Sequence, residues 1–396
     1  MKKAIDDTAR KILSLGYVCD SCLGRQFSKL MKGKTNEARG KIIRKYLQEK
    51  NFPGQSDADK INFQHQEIKN GRIKCIICEN LFSDIPLVIK KIIRDLKKID
   101  FKTFMVGIRM NDALIMNEEL LWEKIGIKYS EPIKADIGRK ITRAIAVKTG
   151  KKPEQGKPDI IIIFDVQKNM TEIFSNPLFI YGKYKKFSRG LPQTSSPLYK
   201  ESVQDIIAKP FMKATKGSSH VLHAMGREDR EARCLAWRPF VLEIKQPMSR
   251  RLGLKSLKRQ IDKSPKIKVS SLRYSDRKEI AEIKAKKPYK VYRAVVDFEM
   301  PVEGIERLKK IVGTIKQRTP FRVLGRKEDR TKHKKIKSIK WKRINTKRYQ
   351  FEIKAESGLY LNEMISGDAG RTRPSVSQIL GNQAKLKQFD LVGLEE

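Results

Sequence analysis

The sequence predicts an α+β protein of two or three domains, in which a cysteine-bearing unit and an α/β stretch precede a larger strand-rich unit. Three observations predict it. At 396 residues the chain exceeds the size at which a single hydrophobic core stops growing. Helical and strand-like apolar periodicity alternate up to about residue 185, and strand patterns dominate beyond residue 189. Four of the five cysteines fall in two C-x-x-C pairs within the first 80 residues.

Taken in order, Ile5, Ala9, Ile12 and Leu13 follow helical spacing, with Gly16 placed to end the helix. Between the two cysteine pairs the chain is Lys-, Arg- and Gln-rich helical material, with a turn at Phe52-Pro53-Gly54. Leu87, Ile89, Ile92, Ile93 and Leu96 predict an amphipathic helix, and Phe104 to Met110 a strand. Ile133, Ile137, Ile141 and Ile145 place one apolar row along a second helix. The β-branched run Ile160 to Val166 predicts a strand buried on both faces. Residues 189–197 read as a functional loop or linker. Beyond them Phe240 to Ile244 and Val291 to Phe298 read as strands. Ile305, Leu308, Ile311 and Val312 mark a helix face, and Tyr349, Phe351 and Ile353 alternate as a half-buried strand does.

Charge narrows the function. Lys and Arg number 87 against 45 Asp and Glu, a formal net charge of +42. Such a surface attracts polyanions and releases counterions on binding nucleic acid. No apolar run reaches the 18 residues a membrane helix needs, and the N-terminus lacks a secretory core. With an odd cysteine count, this points to the cytoplasm.

Cys19, Cys22, Cys75 and Cys78 supply four soft ligands, a set that favours a closed, structural zinc site. Cys234 has no partner in the pattern and reads as a core residue. The four histidines show no ligand spacing. Between Phe321 and Gln350 stand 13 Lys or Arg and two acids, interleaved with Ile339, Trp341 and Ile344, a pattern that suits phosphate tracking or a solvated charge run. Gly226-Arg227-Glu228-Asp229 sets a carboxylate among Arg227, Arg230 and Arg233, which keeps it ionised. By itself that cluster suits a salt-bridge network as well as an active site.

These segments together resemble the archaeal and eukaryotic THUMP-containing tRNA pseudouridine synthases that act on positions 54 and 55 of the TΨC arm. The resembling segments are the C-x-x-C pairs, Phe174 to Gly182, Arg189-Gly190-Leu191-Pro192-Gln193-Thr194, Gly226 to Asp229, Lys290-Val291-Tyr292, Arg318-Thr319-Pro320 with Arg322-Val323, and Ser357 to Ser375. The resemblance implies a zinc-binding region over residues 1–84, a THUMP-like RNA-binding domain over 85–188, and a catalytic domain with a mixed, largely antiparallel sheet over 189–396. It implies Asp229 as nucleophile and Tyr292, Tyr360, Arg227 and Arg371 as substrate-binding residues. RNA contacts would come from Arg318, Arg322, Arg326, Arg330, Lys334 and Lys335.

The implied reaction is an isomerisation. The target uridine leaves its stack, Asp229 breaks the glycosidic bond, and uracil turns and rejoins through C5. No organic cofactor is needed, zinc is remote, and a monomer acting on tRNA suffices. Asn362 stands where such enzymes carry Lys or Arg, with Arg227 and Arg371 as candidate replacements. The alternative is a weakly active or inactive tRNA-binding protein of the same fold. No Gly-rich nucleotide loop supports a methyltransferase.

Overall fold

The computed structural model describes residues 2–50, 68–69 and 72–395, which form two compact units, 1–176 and 177–396. The Phe52-Pro53-Gly54 turn and His65 lie outside the described residues.

The first unit opens with α1 (Lys2–Ser14), α2 (Asp20–Arg25) and α3 (Asn36–Glu49), followed by the two-stranded β1 (Ile68–Lys69) and β2 (Arg72–Ile73). Then come α4 (Leu81–Leu96), β3 (Thr103–Arg109), α5 (Asp112–Ile125), α6 (Ile133–Thr149), β4 (Lys152–Pro153), β5 (Ile160–Asp165) and β6 (Met170–Ser175). Helices α2 and α3 meet backbone to backbone. A Cβ on Gly24 would fall 1.8 Å from the Asn36 carbonyl oxygen, and one on Gly40 would fall 2.0 Å from that of Asp20. The four-stranded sheet runs β4-β3-β5-β6, parallel except at β5–β6. The isoleucine row of α6 is fully buried, as its spacing predicts. Strand β5 departs from expectation: Ile160, Ile162 and Phe164 are buried, but Ile161 and Ile163 are only half-buried.

The second unit contains β7 (Leu178–Lys186), α7 (Val203–Thr215), β8 (Ser219–Ala224), β9 (Arg233–Lys245), α8 (Leu254–Ile261), β10 (Ile267–Ser275), α9 (Arg277–Ala285) and β11 (Tyr289–Phe298). It continues with β12 (Gly313–Arg318), β13 (Thr331–Arg343), β14 (Arg348–Ala355), α10 (Leu361–Ser366), β15 (Thr372–Arg373), α11 (Val376–Leu380) and β16 (Ala384–Glu395). Its ten-stranded sheet runs β10-β7-β9-β16-β11-β14-β13-β12-β15, with β8 beside β9. Only β9–β16 is parallel, so the sheet is mixed and largely antiparallel, as expected. Strand β7, read from sequence with the preceding α/β stretch, pairs here with β9 and β10. Ile305–Ile311 forms a 3-10 helix rather than an α-helix. Its three-residue turn stacks Leu308 over Ile311, and both are buried.

The basic stretch from Phe321 resolves into an irregular loop and then β13, which turns back into β14. Its apolar residues divide: Ile336 and Ile339 enter the core, Trp341 packs at its edge, and Ile344 is exposed.

Candidate active site

The β8–β9 connection carries Gly226-Arg227-Glu228-Asp229. Gly226 takes a left-handed φ of 70°, the conformation that glycine adopts without strain, and the chain turns sharply there. Two residues after Gly226 a side chain faces inward. Glu228 is buried, with its carboxylate 2.8 Å from the Lys186 ammonium and 3.2 Å from the Arg238 guanidinium. The Tyr184 hydroxyl donates to it at 2.8 Å. Arg238 also donates to the Met225 and Gly226 carbonyls, both at 2.8 Å. Lys186 and Arg238 are two of the largest fully buried side chains among the described residues.

Asp229 points the other way and is exposed in a cleft of about 640 Å³. Its carboxylate accepts from the Glu231 amide at 2.9 Å. Eleven of the cleft-lining residues are Lys or Arg, whereas only Glu228 and Asp229 are acidic, so the cleft is built for an anion. Strand β11 contributes Lys290 and Tyr292, and Tyr360 comes from the N-terminal end of α10. Tyr292 is nearly buried and packs edge-on against Phe389 of the neighbouring strand at 6.2 Å. Burial, opposed by Arg238 and aided by Cys234 and Asp229, raises its hydroxyl well above the ordinary value. Burial and then the nearby Arg238 lower the Lys290 ammonium to about 8.

Of the residues singled out in the sequence, the cleft brings together Arg227, Asp229, Tyr292, Arg322, Lys334 and Tyr360. Arg318, Arg326, Arg330, Lys335 and Arg371 lie outside its lining. Arg371 is used internally: it donates to the Thr319 carbonyl at 2.8 Å, pairs with Asp329 and lies over the Phe321 ring. Arg318 pairs with the same Asp329 at 2.7 Å, and Arg330 pairs with Glu328 at 2.5 Å. The arginines expected around Asp229 are also partly committed elsewhere, Arg230 to Glu231 at 2.7 Å and Arg233 to Asp390 at 2.6 Å. Asn362 lines the cleft. The next residue, Glu363, is buried and holds Arg322 at 2.6 Å. Arg322 is raised above its ordinary value first by that hydrogen bond and further by Asp229 and Tyr360.

Sequence reasoning gave no role to Lys186, Arg238 or Lys327, and quoted Gln193 only within the resembling segment 189–194. Lys327 donates to the Tyr360 hydroxyl at 3.1 Å and lies over its ring. For Lys186 a signal existed. It continues the inward alternation of Leu178, Ile180 and Tyr184, which places a lysine on the buried face of β7.

In the first unit, the ligand atoms of Cys19, Cys22, Cys75 and Cys78 all lie within 4.8 Å of one another, with Cys19 and Cys78 Sγ 3.6 Å apart. A tetrahedral zinc with bonds of about 2.3 Å holds its sulfurs about 3.8 Å apart, so the cluster fits such an ion. Asn80 shapes the second pair by accepting from the Cys75 amide at 3.0 Å. Burial, then hydrogen bonds from the other three sulfurs, raise the Cys22 thiol well above its ordinary value, and a cation among the sulfurs would favour the thiolate form. These cysteines could hold a metal ion. No helix among the described residues is long and apolar enough to cross a membrane.

A family model described as Pus10, C-terminal matches residues 179–395, and one described as Pus10 THUMP domain, archaeal, matches 88–165. The tRNA pseudouridine synthase Pus10 of Pyrococcus furiosus is 36% identical, with 98% of this chain and 97% of that protein covered. That of Methanothrix thermoacetophila is 33% identical, with 97% and 93% covered. That of Thermofilum pendens is also 33% identical, with 98% and 95% covered. One family model thus covers nearly all of the second unit, another matches within the first, and relatives match nearly end to end, so the chain belongs to the Pus10 family of tRNA pseudouridine synthases.

Proposed function

We propose that the cleft converts uridine 55 of the TΨC loop to pseudouridine, with uridine 54 as the second candidate target, and that Asp229 is the nucleophile. The supporting observation is the division of labour between adjacent acids. Glu228 is buried and neutralised, whereas Asp229 is exposed in a cleft lined with cations and beside Tyr292. The cations draw the tRNA backbone in, and the flipped base stacks at Tyr292. Tyr360, Arg227 and Arg322 line the same space and contact the target nucleotide, with Arg322 supplying the cation that Asn362 does not. Asp229 breaks the N-glycosidic bond, either by attack of its carboxylate on the sugar C1′ or by taking the C2′ proton to leave a glycal. C5 of the freed uracil then bonds to C1′, displacing the carboxylate or recovering the C2′ proton, and as C5 loses its proton N1 takes one up. Cys19, Cys22, Cys75 and Cys78 would hold zinc, which supplies a structural crosslink away from the chemistry. The reading has a monomer acting in the cytoplasm.

The test uses tRNA transcripts tritiated at uracil C5. Wild type should release tritium, and Asp229→Asn should release none while binding tRNA as tightly. Equal release by both removes the role from Asp229. Binding without release by either favours an inactive tRNA-binding protein.

A further inference from the structure

We propose that Lys186 is a positioning residue for Asp229, acting through the peptide that joins Arg230 to Glu231. The inference rests on the reading of Asp229 as the reacting carboxylate.

The Asp229 side chain lies in an open cleft, so its placement is set from the main chain behind it. That main chain is held from one point. The Lys186 ammonium donates to the carbonyls of Leu191 at 3.0 Å, Asp229 at 3.1 Å and Arg230 at 3.1 Å, and it pairs with Glu228 at 2.8 Å. An ammonium has three protons in tetrahedral array, so these four acceptors saturate it. The Arg230 carbonyl belongs to the same trans peptide as the Glu231 amide, and that amide donates to Asp229 Oδ1 at 2.9 Å. A buried cation thus grips one end of a peptide dipole whose other end holds the carboxylate. Charge on the donor strengthens the first bond, and polarisation of the peptide strengthens the second.

The segment around Leu191 reinforces the same loop. The Gly190 amide donates to the Arg230 carbonyl at 3.1 Å, and Arg189 donates to the Glu231 carbonyl at 2.8 Å. Gln193 accepts from the Glu228 amide at 3.0 Å and donates to the Gly226 carbonyl at 3.3 Å. Residues 189–193 are therefore a clasp along the 226–231 loop, with Lys186 as its charged centre. Lys186 is fully buried and presents no surface to RNA, so its effect falls on the chemical step and not on binding.

The experiment compares single-turnover rate at saturating tRNA, tRNA dissociation constant and thermal midpoint for wild type, Asp229→Asn, Lys186→Met and Gln193→Ala. Displacing a reacting group by about 1 Å costs on the order of a hundredfold in rate. Lys186→Met should lose between ten- and a hundredfold in rate with its dissociation constant within twofold of wild type. Gln193→Ala, a truncation at a half-buried position, should lose several-fold in the same pattern. If Lys186→Met fails to fold, Gln193→Ala decides alone. A folded Lys186→Met or Gln193→Ala with wild-type rate, or with weakened binding and unchanged rate, overturns the inference. Activity in Asp229→Asn instead overturns the reading beneath it, which keeps the two failures apart.

Discussion

Glu228 lies 3.2 Å from Arg238, both side chains buried, while the next residue along the chain, Asp229, is exposed to the cleft. Adjacent positions in one loop thus hold a carboxylate engaged by buried cations and a carboxylate open to the cleft. Glu228 also neutralises Lys186, so two buried cations share one carboxylate. Glu228→Gln leaves both uncompensated in a low-dielectric interior, a defect that costs about 3–5 kcal/mol. Glu231→Gln removes an exposed partner of Arg230 and should change stability by less than about 0.5 kcal/mol. Denaturant unfolding of both variants checks this, and equal losses would show that the buried cluster is not what holds the loop.

Lys290 gives the cleft a pH dependence. Its ammonium is lowered from 10.5 to about 8, first by burial and then by Arg238. In the free protein it is charged below that value and increasingly neutral above it. Phosphate contact favours the charged form, so the tRNA dissociation constant should rise with pH from about 8 upward. Lys290→Met should flatten that rise. The stability sign is separate. Between about 8 and 10.5 the unfolded chain binds the proton that the folded chain has lost, so wild type gains stability relative to Lys290→Met as pH rises. Binding that is flat with pH in wild type would place Lys290 out of reach of the RNA.

The fold was legible where burial is periodic and local. The four isoleucines of α6, the alternation of β14 and the two C-x-x-C pairs each declare themselves within a few residues. The role proposed for Asp229 rests on the order of motifs around it, because Arg230 and Arg233 serve Glu231 and Asp390 rather than Asp229. The clasp was not legible. Lys186 sits 43 residues from the Asp229 carbonyl it holds, and nothing local distinguishes it from its half-buried neighbours Lys183 and Lys185 except strand parity. Arg371 shows the reverse: it sits within a recognisable motif, yet its guanidinium is spent on Thr319 and Asp329.

The cysteine cluster predicts one zinc per chain, released by strong chelators and by Cys75→Ser. Buried thiols without their cation lose both charge compensation and a crosslink between residues 19 and 78, so metal loss should lower the melting temperature of the first unit. Metal analysis beside calorimetry checks it. Metal-free protein with an unchanged melting transition would remove the site.

The division between cations inside and outside the cleft makes a last prediction through salt. Each Lys or Arg that neutralises a phosphate adds about one unit to the slope of log affinity against log salt. Lys327 and Lys332 line the cleft, so Lys327→Met and Lys332→Met should each weaken tRNA binding and reduce that slope by about one. Lys327 also holds the Tyr360 hydroxyl, so its variant should lose single-turnover rate as well, whereas Lys332→Met should not. Arg371 is mostly buried, with its guanidinium engaged by Thr319, Asp329 and the Phe321 ring. Arg371→Met should therefore leave the slope unchanged and lower the melting temperature, because it removes the post that ties the 319–330 loop to the body of the unit. A slope reduced by one in Arg371→Met would mean that this loop reopens on binding and hands its arginine to the RNA.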